Sequence, residues 1–333
     1  MYDYQLNFNL NKYQLESSNK IVKYYLEGHN ILLDAVCGAG KTEMLLEVIK
    51  IALNKGYKVG FACPRRQLLI ELYERIKQYF MIETIGLVAG GYKYNEKSDF
   101  IFLTTHQLKK YENYFDLLII DEVDAFPFYD DNKLENAAFL AAKQFIYLSA
   151  TVPLKYQNLV RKDKVKLVNN YYRHHLKIMP LPQFKETSSI MKFIHLLKLI
   201  FKFRANPLII YVPTKKRGRY LEKMIYLFIR KVKFVCSDNL NDEIINKFRN
   251  REINILISTS VLERGITLAN LNAIIYDSDN FIFDEAMLIQ ICGRVGRDVI
   301  HYQGEVIMLT KTITRAMINA RKRIVSYNEM LDM

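Results

Sequence analysis

The run Ala35-Val36-Cys37-Gly38-Ala39-Gly40-Lys41-Thr42 sits between an apolar stretch, Ile31 to Leu33, and a helical pattern that starts near Thr42. A strand, a glycine-bearing turn and a helix in that order point successive backbone N–H groups at phosphate oxygens. Gly38, Ala39 and Gly40 then cradle the phosphates, Lys41 reaches the β- and γ-phosphates, and the Thr42 hydroxyl binds magnesium. Ala35 stands where the commonest form of this loop has glycine, which makes it the variant with a small residue in that place. Everything after the loop reads as machinery around a bound triphosphate.

With 333 residues the chain is long enough for two domains, each with its own core. Lys plus Arg number 48 against 35 Asp plus Glu, a formal balance of +13, and a surplus of that size suggests a polyanionic partner such as nucleic acid. The four cysteines, Cys37, Cys63, Cys236 and Cys292, form no C-x-x-C pair, so neither zinc nor a disulfide framework is expected. Met1 to Lys12 lacks the order of a signal peptide, and the most apolar stretch, Phe193 to Phe203, is short and broken by Lys198 and Lys202. A cytoplasmic protein without membrane insertion is the expectation.

Residues 1 to 30 carry a helical pattern with Leu15, Ile21, Val22, Tyr25 and Leu26 available for one face. Gln14 lies in it, and a side-chain amide there can pair with both the donor and the acceptor of an adenine edge. From Ile31 to about Thr151, strand-length apolar runs alternate with amphipathic stretches: Lys58 to Ala62, Phe100 to Leu103, Leu117 to Ile120 and Phe145 to Leu148. That alternation predicts a parallel sheet flanked by helices, with function carried just beyond the carboxyl ends of the strands. Those positions hold Cys63-Pro64-Arg65-Arg66-Gln67, Thr104-Thr105-His106-Gln107-Leu108, Asp121-Glu122-Val123-Asp124 and Ser149-Ala150-Thr151. Pro64 suits a first helical position, and Arg65, Arg66, Thr104 and Thr105 suit a phosphate backbone. Asp121 suits a magnesium held mostly through water, and Glu122 suits a base for the attacking water.

The segment from about Tyr171 to Pro182, with His174, His175, Pro180 and Pro182, is read as the boundary between a domain 1–175 and a domain 176–333. A second alternating series follows: Leu208 to Val212, Lys233 to Cys236, Ile255 to Ser258, Ala273 to Tyr276 and Val306 to Leu309. Its strand ends carry Pro213 to Arg219 and Thr259 to Thr267, with Thr214, Lys215 and Thr259 as strand contacts. Further on, Gln290-Ile291-Cys292-Gly293-Arg294-Val295-Gly296-Arg297 offers two guanidinium groups of the kind that stabilises charge spreading over a γ-phosphoryl group. The helical pattern from about Thr314, with Arg315, Arg321, Lys322 and Arg323, reads as a solvated basic helix.

Taken together these stretches resemble the motifs of a superfamily 2 helicase, in the right order and over nearly the whole chain. Gln14 is similar to the adenine-reading glutamine, 35–42 to motif I, 64–66 to Ia, 104–108 to Ib, 121–124 to II, 149–151 to III, 259–267 to V and 290–297 to VI. The wording at 38–43, 121–127 and 262–267 looks most like the ComFA type, the ATPase of bacterial DNA uptake during competence. The resemblance implies two tandem RecA-like domains, each a parallel sheet flanked by helices, with ATP in the cleft between them. It implies ATP and magnesium as cofactors and single-stranded DNA as partner, with competence DNA-uptake proteins at the inner face of the membrane. It also implies nucleotide contacts from Gly265 and Thr267, catalytic roles for Lys41, Asp121, Glu122, Gln290, Arg294 and Arg297, and coupling through Ser149 and Thr151. Two departures stand out. No cysteine precedes Cys37, where many members carry a four-cysteine zinc module, and Ile291 stands where related helicases often have a further arginine. An RNA helicase, a replication-restart DNA helicase and a nucleotide-sensing nucleic-acid adaptor remain as other readings of the same motifs.

Overall fold

The computed structural model describes residues 2–80, 85–125, 127–129, 131–172, 179–236, 242–259, 268–296 and 303–329. The chain divides into two compact units, Met1–Arg173 and His174–Met333.

Unit 1 is built on an eight-stranded sheet. Its strands are β1 (Ile31–Ala35), β2 (Val59–Cys63), β3 (Gly86–Ala89), β4 (Tyr92–Tyr94), β5 (Phe100–Thr104), β6 (Phe115–Ile120), β7 (Ala142–Ser149) and β8 (Lys166–Asn170), in the order β4-β3-β5-β2-β6-β7-β1-β8. Every pair is parallel apart from the β3–β4 hairpin. The central strands are apolar at nearly every position because helices cover both faces, so alternate residues have no watery side to face. Gly60 is needed in β2: a Cβ there would stand 2.8 Å from the Leu118 side chain of β6.

Helix α1 (Lys12–Leu26) opens on a capping box, in which Asn11 Oδ1 accepts from the Gln14 N–H and Gln14 Oε1 accepts from the Asn11 N–H. A 3-10 turn, Glu43–Leu45, leads into α2 (Leu46–Asn54), and α3 (Arg66–Tyr79) follows β2. A 3-10 segment, Thr105–Lys110, follows β5, and α4 (Asn132–Ala141) and α5 (Leu154–Arg161) flank β7. Pro64 is not a first helical residue as expected: Arg65 is extended at the N-cap, and the helix begins one residue later.

Unit 2 holds a six-stranded, all-parallel sheet of β9 (Gln183–Glu186), β10 (Leu208–Tyr211), β11 (Val232–Val235), β12 (Ile255–Ser258), β13 (Asn272–Tyr276) and β14 (Val306–Thr310), in the order β11-β12-β10-β13-β14-β9. Its helices are α6 (Ser189–Lys202), α7 (Lys215–Tyr226), α8 (Asp242–Arg249), α9 (Glu285–Cys292) and α10 (Arg315–Glu329). The apolar stretch from Phe193 belongs to α6, which buries Leu196 and Ile200 and leaves Phe201 exposed. Among the described residues no helix is long and apolar enough to cross a membrane. In α10, Arg323 reaches Glu285 at 3.3 Å and the Arg321 guanidinium lies over the Phe184 ring, so that helix is tied to its own unit.

Candidate functional site

Strands β6, β7 and β1 are neighbours in unit 1, so the segments that leave their carboxyl ends lie side by side. After β1 the loop turns on Gly38 and Gly40, both in the left-handed region at φ 85° and 79°. Gly40 is required twice over, since a Cβ there would collide with the Gln14 amide. Lys41 is half-buried, and its ammonium donates to the Ala35 carbonyl of its own loop at 3.1 Å. The Thr42 hydroxyl is buried and accepts from the Arg75 guanidinium of α3 at 2.7 Å.

After β6, Asp121 is buried and one of its carboxylate oxygens accepts from the Glu122 N–H at 2.9 Å. Glu122 adopts φ 57°, a conformation that costs a non-glycine residue about 1 kcal/mol or more and re-aims the side chain at the strand end. The Val123 N–H donates to Leu148 of β7 at 3.1 Å, which docks the acid segment against the next strand. There Ser149 Oγ donates to Asp124 Oδ1 at 3.0 Å and Thr151 Oγ1 to Asp124 Oδ2 at 2.7 Å. Both hydroxyls expected to couple nucleotide to strand therefore meet the last acid of the preceding segment.

Gln14 is 1% exposed, and besides its capping bond its Nε2 donates to the Ala39 carbonyl of the phosphate loop at 2.9 Å. One amide hydrogen and one carbonyl lone pair remain for an adenine edge. Beside it the Tyr13 and Tyr172 rings stack at 3.3 Å, 6° from parallel. Arg65 and Arg66 sit at the end of β2. Arg66 is exposed with its guanidinium 5.0 Å above the Tyr92 ring. Thr104 ends β5 and Thr105 follows it, and both are buried. The fully buried Thr105 Oγ1 has no hydrogen-bond partner among the described residues. Neither hydroxyl is offered at a surface for strand contact, because the end of β5 holds Thr104 inside and the 3-10 segment turns Thr105 inward.

In unit 2, Thr214 caps α7 by accepting from the Arg217 N–H at 3.1 Å, and Lys215 is exposed beside it. Thr259 is half-buried, its carbonyl accepting from Ser258 Oγ. Gln290 is buried in α9, and the half-buried Arg294 lies in the turn just after that helix. Gly265, Thr267 and Arg297 lie outside the described residues.

Three features escaped the sequence reading. Glu43 is 8% exposed although acidic, and burial, then the Glu43 carboxylate, push the Tyr79 phenol above its ordinary value while Arg75 works the other way. Arg75 itself looked like any charge on an amphipathic helix. In unit 2 Asp277, at φ 56° just after β13, takes Lys192 on Oδ1 at 2.6 Å and Arg217 on Oδ2 at 2.8 Å. Burial and then Asp277 push the neighbouring Tyr276 phenol up to about 12, against the Arg217 charge. The one available signal was spacing: an acid directly after a buried run, as at Asp121.

The residues at the unit 1 strand ends fit a triphosphate with magnesium. The loop has two left-handed glycines, a Gly40 where a Cβ would strike the Gln14 amide, a lysine whose ammonium among the described residues meets the Ala35 carbonyl, and hard oxygen donors in Thr42 and Asp121. Among the described residues no group of three or more His, Cys, Asp and Glu is gathered to hold a metal ion. Two such oxygen donors suit magnesium, which keeps several waters and phosphate oxygens of its own.

Residues 7–154 match the family model described as type III restriction enzyme, res subunit, and residues 191–299 match the helicase conserved C-terminal domain. The chain is 34% identical over 334 residues to competence protein ComFA of Bacillus subtilis, covering 95% of this chain and 72% of the relative. It is 33% identical to competence protein ComFA of Streptococcus pneumoniae, covering 90% and 72%. Among solved structures, yeast (S. cerevisiae) Dbp5 bound to RNA and ADP BeF3 aligns over 96% of this chain and 92% of its own at 18% identity with a TM-score of 0.67. A DEAD box protein from Methanococcus jannaschii aligns over 99% and 98% at 20% identity with a TM-score of 0.52. At those identities the likeness speaks for the fold: two parallel-sheet α/β units of the tandem RecA-like kind. With the motif order, the two helicase domains and the extent of the match to its relatives all in agreement, the chain belongs to the ComFA-type superfamily 2 helicases.

Proposed function

We propose that this chain is an ATP-dependent translocase on single-stranded DNA, acting in the cytoplasm during uptake of transforming DNA alongside other competence proteins. The observation that carries the reading is the hydrogen bonding of Asp124 to both Ser149 and Thr151 beside the phosphate loop, which links a nucleotide site to the next strand end. The printed names of the relatives supply the competence role.

In this reading Lys41 exchanges the Ala35 carbonyl for phosphate oxygens, and the loop N–H groups hold the rest of the triphosphate. Thr42 and Asp121 would hold magnesium, which when bound offsets phosphate charge in the transition state. The Glu122 carboxylate accepts a proton from the attacking water, and the left-handed backbone at Glu122 sets its direction. Gln14 lends its remaining donor and acceptor to adenine, and Gln290, Arg294 and Arg297 meet the developing γ-phosphoryl charge. Gly265 and Thr267 add nucleotide contacts. Arg65, Arg66, Thr214, Lys215 and Thr259 follow a phosphate backbone, Thr104 and Thr105 through their main chain, so binding carries little sequence preference and falls with salt.

The test is steady-state ATP hydrolysis with no nucleic acid, single-stranded DNA, duplex and RNA, each at two salt concentrations. Stimulation confined to single-stranded DNA and weakened by salt is the expected result. Equal or greater stimulation by RNA assigns an RNA helicase instead, and none at all, with turnover no higher than that of Glu122→Gln, assigns a nucleotide-sensing adaptor.

A further inference from the structure

Arg75 lies in α3, 33 residues from Thr42 in sequence, yet its guanidinium reaches into the phosphate loop. One terminal nitrogen donates to Thr42 Oγ1 at 2.7 Å, and Nε stands 3.7 Å from Glu43 Oε1. That Nε is shut off from solvent, although the side chain as a whole is 39% exposed. Glu43 is turned under the loop: its Oε2 lies 3.4 Å from the point where a Cβ on Gly40 would stand. The opposed effects of Glu43 and Arg75 on Tyr79 place all three groups within reach of one another.

Two consequences follow from elementary electrostatics. A buried carboxylate directly beneath a phosphate-binding loop opposes the arrival of phosphate charge, unless a cation beside it offsets its own. Arg75 is that cation. A hydroxyl, in turn, has one O–H and two lone pairs on a freely turning rotor. With one lone pair taken by the guanidinium, the other lone pair and the hydrogen are held in fixed directions. A cation that binds through this oxygen then meets an acceptor already aimed, and the cost of ordering it has been met by the fold.

We propose that Arg75 is a positioning residue for magnesium-dependent nucleotide binding. It offsets the Glu43 charge and orients the Thr42 hydroxyl, touching neither nucleotide nor metal. The inference rests on the proposed reading of the loop as a magnesium-nucleotide site. It adds a residue on another helix, outside the loop and the acid pair, that controls how strongly the cation contributes.

The experiment is equilibrium binding of a fluorescent ADP analogue to the full chain, in excess chelator and at rising magnesium, for the unmodified protein, Arg75→Met, Thr42→Ala and the double variant. Thermal melting of each reports folding. Arg75→Met should lose about tenfold of the affinity gained on adding magnesium, the size expected for a hydrogen bond from a charged donor. Its affinity in chelator should fall by less, through the Glu43 charge left without its cation, and its effect on the magnesium gain should vanish in the Thr42→Ala background, as coupled residues require. Arg75→Lys, which keeps the charge and a donor and serves if the Met variant melts early, should give an intermediate gain. An equal magnesium gain with and without Arg75, an equal loss in chelator and magnesium, or an undiminished effect in Thr42→Ala overturns the proposal. An unmodified protein that binds the analogue no better in magnesium than in chelator overturns the reading of the loop and this inference with it, whereas a normal gain there isolates any failure to Arg75.

Discussion

Beside β7, unit 1 runs from β1 into a glycine loop ending in Lys41 and Thr42. Beside β14, the strand that holds the same place in unit 2 is β9, and it runs into Thr187 and Ser188, which simply caps α6. The likeness extends along both sheets, since β5-β2-β6-β7-β1 in one matches β12-β10-β13-β14-β9 in the other. After β6 stands Glu122 at φ 57°, and after β13 stands Asp277 at φ 56°. After β7 the Thr151 N–H donates to Ser149 Oγ at 2.9 Å, and after β14 the Thr312 N–H donates to Thr310 Oγ1 at 3.2 Å. The backbone device is repeated, but the donors differ. Hydroxyls hold Asp124 in unit 1, while an ammonium and a guanidinium hold Asp277 in unit 2. A hydroxyl fixes a carboxylate without cancelling its charge, whereas two cations cancel it. One framework thus carries two hydroxyl donors in unit 1 and two cationic ones in unit 2.

The sharpest way to break this comparison is to exchange roles. Lys41→Ala should lower strand-stimulated ATP turnover by about 10²–10³-fold, the range for loss of one transition-state donor, while Lys192→Met leaves turnover within its order of magnitude. Comparable losses in a hydrolysis assay would mean that the unit 2 lysine is catalytic too. Next in size, Asp277→Asn should destabilise unit 2 by about 3 kcal/mol, because Lys192, 4% exposed, loses its counter-charge. Urea unfolding measures this, and an unshifted midpoint would remove the cohesive role.

Replacing Ser149 by Ala and Thr151 by Val should cost about 1 kcal/mol per hydrogen bond in the same unfolding experiment. The basal ATP rate should survive while its stimulation by single-stranded DNA is lost, and retained stimulation would assign the pair to stability alone. The smallest effect is expected at the unit 2 counterpart: Thr310→Val costs about 1 kcal/mol or less, and stimulation is unchanged. A loss of stimulation there would show that both hydroxyl pairs transmit.

How much of this was legible depended on burial. The runs at Ile31, Phe100, Leu117, Leu208 and Ile255 announced strands because both faces of each are covered, and the candidate site residues were sought just beyond them. Strands β8 and β9 were not foreseen because they read Lys-Leu-Val-Asn-Asn and Gln-Phe-Lys-Glu: edge strands with few fully buried side chains. Strand β4 was missed for the same reason at the other edge, whereas β3 is buried throughout but is only four residues long and starts on a glycine. Thr104 and Thr105 were read as suited to a phosphate backbone because nothing local tells that the end of β5 and the 3-10 segment bury them. Arg75 and Glu43 were invisible as a pair, since their meeting depends on α3 lying over the loop.

The register of β1 also governs the order in which unit 1 is made. Ile31 pairs with Ile146 of β7 on one side and Lys166 of β8 on the other, so neither neighbour exists when the loop sequence leaves the ribosome. At about 5–20 residues per second, about 6–26 seconds pass between synthesis of Lys41 and of Asn170. Until β7 is made the loop has no strand beside β1 to shape it, and until β8 is made β1 is flanked on one side alone. The phosphate site is therefore translated among the first segments of the unit and completed among the last, and a ribosome-bound chain that stops before β8 carries the loop with only one of the two strands that flank β1.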